Sequence, residues 1–276
     1  MNQIKVMVNG IPGNVAVIVA RHVKCDDGFE LLPYSLTGPE ITTPSFKLDD
    51  FTIRLVTPEK KEQTIKDIIA KEGTFITVDY THPSAVNGNA EFYCQMNLPF
   101  VMGTTGGDRN RLTDIVVKST IPAVIAPNMA KQIVGLQAMM AYAAENFPGI
   151  FKGYDLEIVE SHQQGKADTS GTARAMVGYF NQMGVDFDEA DIQMERDPEI
   201  QKTKWQIPEE HLKGHAWHTY TLLSHDKSVK LAFTHNINGR DVYSLGTLDA
   251  VRYLNQKLAE GHKGKVFSMI DVLKNI

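Results

Sequence analysis

Runs of β-favouring residues and runs with helical spacing take turns along the first half of this chain, and that alternation restricts its fold more than any other feature. Ile4, Val6 and Val8 make a short strand that stops at Asn9-Gly10, after which Val15, Val17, Ile18 and Val23 recur at helical intervals. The same reading places a strand at 29–35, short strands within 46–56 turning at Asp49-Asp50, a helix at 59–71 and a buried strand at 74–80. It continues with a helix at 84–96, a strand at 100–103, a helix at 109–119 and a strand at 122–126. Strand and helix in this order predict a parallel sheet covered on both faces, a Rossmann-like, doubly wound α/β domain.

After a long helix at 131–147 the pattern changes to a strand at 154–159, a helix at 170–183 and two strands at 217–224 and 229–236, close enough to pair antiparallel. This predicts a separate α+β domain for substrate binding and oligomerisation over 131–240. Residues 1–130 and 241–276 form the dinucleotide-binding domain, helices at 248–258 and 267–273 returning to cover the first sheet. Two domains suit a length of 276 residues, which is long for a single core.

A net charge of −5 offers no broad basic field, so nucleic acid is not an expected partner. No apolar run approaches the ~18 residues a membrane span requires. The strand-like start without an apolar signal core predicts a cytoplasmic protein, with a plastid location of a processed form as the alternative. Cys25 and Cys94 match no disulfide or metal pattern and are expected as buried, reduced thiols. His211, His215 and His218 invite a metal reading, but Gly214 and the strand-like 217–220 argue against a continuous helix, so no metal site is expected. Met139 and Met140 are expected to fill core or interface gaps.

Two segments carry chemistry. Gly10, Ile11, Pro12, Gly13, Asn14 and Val15 lie where the first strand hands over to the first helix, the place where glycines let backbone N–H groups approach a pyrophosphate at a helix N-terminus. The spacing is Gly-x-x-Gly-x-x-Ala, closed by Ala16. At the end of the second strand the ribose-binding carboxylate of many NAD enzymes is replaced by Tyr34-Ser35-Leu36-Thr37, whose hydroxyls, Ser35 foremost, suit a 2′-phosphate and favour NADPH over NADH. The second segment, 157–174, is polar and lies between a strand and a helix. Lys166 supplies a cation, and Ser170, Gly171 and Thr172 supply hydroxyls and N–H groups at a helix start, an arrangement suited to a carboxylate. His162 is a candidate for proton exchange near neutral pH, with Lys166 as a second proton donor. Read without further context, the same residues also fit a simple helix cap beside surface side chains.

The second segment resembles the signature of dihydrodipicolinate reductases of lysine biosynthesis, a strand ending Glu-x-His-His-x-x-Lys that runs into Asp-x-Pro-Ser-Gly-Thr-Ala. Four other marks of that family occur in order: the turn from Gly10 to Val15, Asp79-Tyr80-Thr81-His82-Pro83, Gly103-Thr104-Thr105-Gly106 and Ala126-Pro127-Asn128-Met129. The departures are Gln163 in place of the second His, a missing Pro and one residue fewer before Ser-Gly-Thr, and Ala16 in place of Gly. Gln163 can hydrogen-bond a carboxylate but carries no charge. The pattern Glu-Ser-His-Gln is most similar to the plant-type branch.

The resemblance implies reduction of a small dicarboxylate ring by NADPH or NADH, with the cofactor across the first domain and the ring clamped by the second. It implies His162 and Lys166 as the acid–base pair. Gln163, Ser170, Gly171 and Thr172 would bind substrate with Thr105, while Gly103, Thr104, Thr105, Ala126, Pro127, Asn128 and Met129 would border the nicotinamide. It also implies a homodimer or homotetramer paired through the middle-domain sheets. The rival readings are another two-domain nicotinamide-dependent dehydrogenase and a non-catalytic NADP(H) sensor.

Overall fold

A computed structural model of the chain describes residues 3–276. It divides into two compact units, Met1–Val134 with Asp241–Ile276, and Gly135–Arg240.

The first unit begins with β1 (Ile4–Asn9), α1 (Asn14–Cys25), β2 (Phe29–Leu31), β3 (Tyr34–Leu36), β4 (Ser45–Leu48) and β5 (Phe51–Val56). It continues with α2 (Lys61–Glu72), β6 (Ile76–Asp79), α3 (Val86–Gln95), β7 (Phe100–Met102), α4 (Arg109–Val117) and β8 (Ala123–Ile125). The unit boundary falls within α5 (Lys131–Asn146). The second unit then holds β9 (Tyr154–His162), α6 (Gly171–Gln182), β10 (Gln193–Glu195), α7 (Pro198–Thr203), β11 (His215–Ser224) and β12 (Lys230–Asn238). The chain finishes in the first unit with α8 (Asp241–Ala259), β13 (Val266–Phe267) and α9 (Met269–Leu273).

The large sheet of the first unit has six strands in the order β13-β8-β7-β6-β1-β2, every neighbouring pair parallel. Side chains alternate across it, so Val6, Val8 and Val78 join a core with Val19 and Val23 of α1 and Leu248 and Val251 of α8. Met7, Phe100 and Met102 face the other way, into a core with Ile65 of α2, Ala90 of α3 and Val116 of α4. Burial on both faces is why β7 reads as a continuous apolar run, and in β6 it encloses even Thr77 and Asp79.

Several expectations are corrected. The strand expected at 29–35 is broken near Pro33, which has no N–H for a ladder; β2 stays in the large sheet while β3 turns into a separate sheet, β3-β5-β4. The expected hairpin at Asp49-Asp50 is present, with Leu48 opposite Phe51 and Asp49 at φ 54°. The helix expected at 267–273 is a short strand, β13, and a helix, α9, divided at Ser268, whose side chain forms a capping box with Asp271. The helix expected at 248–258 starts seven residues earlier, at Asp241, because the buried small residues Ser244, Gly246 and Thr247 do not register as an apolar stripe. Cys25, expected buried, is exposed at the end of α1. Met140 is buried, whereas Met139 is exposed.

In the second unit the sheet order is β10-β9-β11-β12, with β9, β11 and β12 antiparallel and β10 parallel to β9. Ile158, Tyr220 and Leu222 of this sheet pack with Ala173, Met176 and Phe180 of α6. The strand expected at 154–159 runs on to His162: Glu160, Ser161 and His162 pair with His218, Trp217 and Ala216. Polar residues there hid the strand, since polar side chains become strand interior only when partners satisfy them.

Candidate active site

Sheet register lines up the carboxyl edge of the first unit. Asn9 of β1 is level with Asp79 of β6, Asp79 with Met102 of β7, and Met102 with Ile125 of β8. Gly10, Tyr80, Gly103 and Ala126 therefore follow one another along the carboxyl edge of the sheet, where open α/β sheets bind ligands.

Gly10 has φ 101°, and a Cβ there would lie 2.2 Å from the Tyr80 carbonyl oxygen. Gly13 donates its N–H to Gly10 O at 2.7 Å, and a Cβ on Gly13 would meet that same oxygen at 2.8 Å. Gly13 is also the N-cap of α1, which has no side-chain cap and no acidic residue in its first turn. The N–H groups that open α1 at Asn14 and Val15 are thus left to an anion, and the cradle fits a nucleotide pyrophosphate. Pro12, Gly13 and Asn14 are exposed, but Ile11 is buried in the core.

Ser35 is placed differently from the expectation. It is fully buried, and its hydroxyl accepts the Ile11 N–H at 3.2 Å, so it holds the glycine turn in place and presents no free hydroxyl. Glu40 folds its carboxylate against Gly38, just beyond β3.

Behind the edge lies a buried network that the sequence did not disclose. Asp79, fully buried, accepts from Thr81 N–H, the Thr81 hydroxyl and the Thr104 hydroxyl on one oxygen, and from Asn89 Nδ2 and Tyr93 Oη on the other. Asn9 Nδ2 donates to Tyr93 Oη at 2.9 Å, and its Oδ1 accepts Leu36 N–H. Burial and the Asp79 charge both push the Tyr93 phenol up, keeping it a hydroxyl donor. Thr104 thus faces inward, whereas Thr105 is exposed. Met129 and Ala126 are buried, Pro127 is exposed, and Asn128 Oδ1 accepts Ala130 N–H.

The second unit supplies a cationic turn. Ser170 caps α6, its hydroxyl accepting from Thr172 and Ala173 N–H. That hydroxyl is therefore engaged, and among the described residues the Gly171 N–H and the Thr172 hydroxyl are left as donors. Lys166 Nζ donates to Asp168 Oδ1 at 2.6 Å; its side chain is 20% exposed and that of Asp168 72%. The ammonium holds the Asp168 carboxyl below its ordinary range. Gln163 is half-buried beside them.

His162, at the end of β9, is 7% exposed, and its Nδ1 lies 3.5 Å from Glu160 Oε1. No other polar partner reaches Nδ1 among the described residues. A carboxylate at Nδ1 favours the proton there and leaves Nε2 as the free nitrogen. Glu160 itself is fully buried, receives Arg196 Nη2 at 2.6 Å on Oε1 and accepts Ser170 N–H at 3.0 Å on Oε2. Burial alone would raise its pKa; the nearby His162 ring and the hydrogen bonds from Arg196 and Ser170 outweigh this and hold it at about 2.

The His162 ring meets His218 edge to face at 5.1 Å, and His218 stacks on His235 at 4.6 Å. Burial, reinforced by His235, drives His218 down to about 3, a neutral imidazole. His211 lies in a short helical turn, and His215 and His218 are in β11. Donor atoms of Glu160, His162 and His218 come within 4.8 Å of one another, but the guanidinium of Arg196 already supplies the positive charge that a metal would bring. Glu160 stood in the motif without an assigned role; Arg196, in a stretch with no periodicity, carried no signal at all.

Comparison with known proteins agrees in both units. Family models described as dihydrodipicolinate reductase, N-terminus and C-terminus, match residues 4–129 and 133–273. The chain is 44% identical over 275 residues to 4-hydroxy-tetrahydrodipicolinate reductase 2, chloroplastic, of Arabidopsis thaliana, covering 99% of this chain and 78% of the relative. It is 43% identical over 269 residues to the probable 4-hydroxy-tetrahydrodipicolinate reductase 1, chloroplastic, of Oryza sativa subsp. japonica, with 98% and 78% covered. Dipicolinate-bound dihydrodipicolinate reductase from Paenisporosarcina sp. TG-14 shares the fold, with a TM-score of 0.67 at 18% identity, covering 97% of this chain and 98% of that one. The glycine cradle and the cationic turn thus occur in a sequence matched by the family along nearly its whole length, and the chain belongs to the dihydrodipicolinate reductase family.

Proposed function

We propose that this chain reduces 4-hydroxy-tetrahydrodipicolinate to tetrahydrodipicolinate with NADPH or NADH, in the diaminopimelate route to lysine. What carries the reading is the 44% identity to a reductase of that name across 99% of the chain. The turn that gathers His162, Lys166 and the start of α6 supports it, because it suits a ring bearing two carboxylates.

The net change adds a hydride and a proton to the ring, which loses its hydroxyl as water. When bound, the reduced nicotinamide supplies the hydride. The chain's own part is to hold and protonate. Backbone N–H groups from Gly10 to Val15 would hold the pyrophosphate, and the segments Gly103 to Thr105 and Ala126 to Met129 would border the nicotinamide. Lys166, Gln163, Gly171 and Thr172 would hold the substrate carboxylates, and Thr105 is a further proposed substrate-binding residue. A substrate carboxylate would take the place of Asp168 on the Lys166 ammonium. His162 and Lys166 are the proton donors.

NADPH is the proposed preferred reductant, supported by the absence of a carboxylate within β3. Glu40 beside Gly38 opposes it by charge, so the test is kcat/KM for NADPH and NADH in the wild type and in Glu40→Gln. A higher value for NADH in the wild type overturns the preference. Homodimer or homotetramer formation is proposed through the sheet of the second unit, where Val159, Trp205, Trp217, Thr219 and Thr234 line a groove of about 580 Å³. A monomer by light scattering at micromolar concentration would end that reading. Among the described residues no helix is long and apolar enough to cross a membrane. The proposed location is the cytoplasm, with a plastid as the alternative raised by the plant relatives' names.

The deciding assay follows NADPH oxidation with freshly generated 4-hydroxy-tetrahydrodipicolinate beside a panel of keto acids. Turnover confined to the first supports the assignment. Turnover with a keto acid alone favours another dehydrogenase, and binding without any turnover favours a sensor.

A further inference from the structure

We infer that Glu160 and Arg196 are positioning residues for the reduction, a buried carboxylate paired with a half-buried guanidinium that sets the geometry of the whole substrate-binding turn without touching the substrate. The inference rests on His162 and Lys166 being the substrate-facing pair.

Arg196 follows β10, and its guanidinium is spent entirely on the fold. Nε donates to the Lys166 carbonyl at 2.9 Å, Nη1 to the Glu195 carbonyl at 2.9 Å, and Nη2 to Glu160 Oε1 at 2.6 Å. Longer contacts reach the carbonyls of Glu160 and Asp168, both at 3.4 Å. Glu160 takes this cation on one oxygen and the Ser170 N–H on the other at 3.0 Å, while Nδ1 of His162 faces the first oxygen at 3.5 Å. Gln201, fully buried, donates to the His162 carbonyl at 2.7 Å and fixes the end of β9.

One ion pair therefore determines three things together: the ring plane of His162, the backbone from which Lys166 projects, and the N-cap from which α6 presents Gly171 and Thr172. The loop 163–169 has no strand or helix of its own, so these contacts, with the Lys166 N–H to Gln163 O bond at 3.0 Å, define its path. A pair kept for stability alone would be replaceable, since buried ion pairs are often matched by well-packed apolar side chains. A planar fork that collects four carbonyls and a carboxylate is a task that lysine cannot perform with a point charge.

The test compares Arg196→Lys, Arg196→Ala and Glu160→Gln with Lys166→Ala in the full chain, with folding checked by circular dichroism and Tm. Arg196→Lys and Glu160→Gln should each lower kcat at least about tenfold and raise KM for the ring substrate, with KM for NADPH within about twofold of wild type, as expected for misplaced reacting groups. Guanidinium ion added at millimolar concentration should restore part of the lost kcat in Arg196→Ala and none in Lys166→Ala. If Lys166→Ala keeps wild-type kcat, the reading of the site itself fails. If Lys166→Ala is inactive while folded Arg196→Lys and Glu160→Gln turn over like wild type, merely melting earlier, the positioning role alone is overturned.

Discussion

Replacing Asp79 by Asn tests whether the carboxyl edge of the sheet is organised from beneath. Five donors converge on this buried carboxylate, three on Oδ1 and two on Oδ2. Asn has the same shape but substitutes an amide for one acceptor. Set at Oδ1, that amide meets the Thr81 N–H, which cannot rotate away; set at Oδ2, it meets Asn89 Nδ2, and a flip of Asn89 to relieve this gives up its bond to the Thr81 hydroxyl. Losing a charge-assisted bond and leaving a buried donor unsatisfied together cost about 4 kcal/mol. For a unit of this size that is a fall in Tm of roughly 8–16 °C. Thr104→Val removes one of the five donors and should cost only about 1 kcal/mol. Calorimetry of the full chain reads both, and an NADPH titration by fluorescence reads the consequence for the proposed cofactor site, because Thr104 and Thr81 anchor two of the loops at the sheet's carboxyl edge to Asp79. A drop below about 3 °C for Asp79→Asn would refute the argument that these donors depend on one carboxylate.

Gly13→Val should weaken NADPH binding by at least about tenfold with little change in substrate KM, since the added Cβ meets the Gly10 carbonyl and covers the start of α1; unchanged affinity in a direct titration would count against the cradle. Asp168→Asn frees the Lys166 ammonium from an exposed partner and should lower substrate KM by no more than about fivefold, the worth of a surface ion pair; an increase would mean that Asp168 itself helps to hold the loop. For pH, His218 is held at about 3 against an ordinary 6.5, so the unfolded chain binds its proton first and stability falls as pH drops below the unfolded value. From about pH 7.5 down to about pH 5 the second unit should lose about 2 kcal/mol through His218, seen as a falling Tm that His218→Gln makes shallower without abolishing, because burial also holds the neighbouring His235 down, at about 4. Glu160, held at about 2, adds its own loss only lower, as pH falls from its ordinary 4.5 towards 2.

The sequence was most informative where local pattern and final structure obey the same rule. The β7 segment is apolar throughout because both faces of a parallel sheet are covered, and its continuous run says so. Gly10 and Gly13 mark a turn because no other residue fits against Tyr80 and the turn's own carbonyl. Short or polar elements were invisible: β13 has two residues, and β10 and α7 carry no apolar stripe. Ser35 and Ser170 were legible as hydroxyls beside the site, but not as hydroxyls already engaged, one by Ile11 and one by α6.

By itself the amino-acid order determined the alternating α/β layout, the glycine turn and the composition of the polar run around Lys166, all of which depend on neighbours close along the chain. Tertiary structure alone decided which polar groups are satisfied inside. Asn9 meets Tyr93 from 84 residues away, and Arg196 meets Glu160 from 36. A buried polar side chain is stable only when a partner arrives from elsewhere, and folding in three dimensions, not sequence spacing, selects that partner.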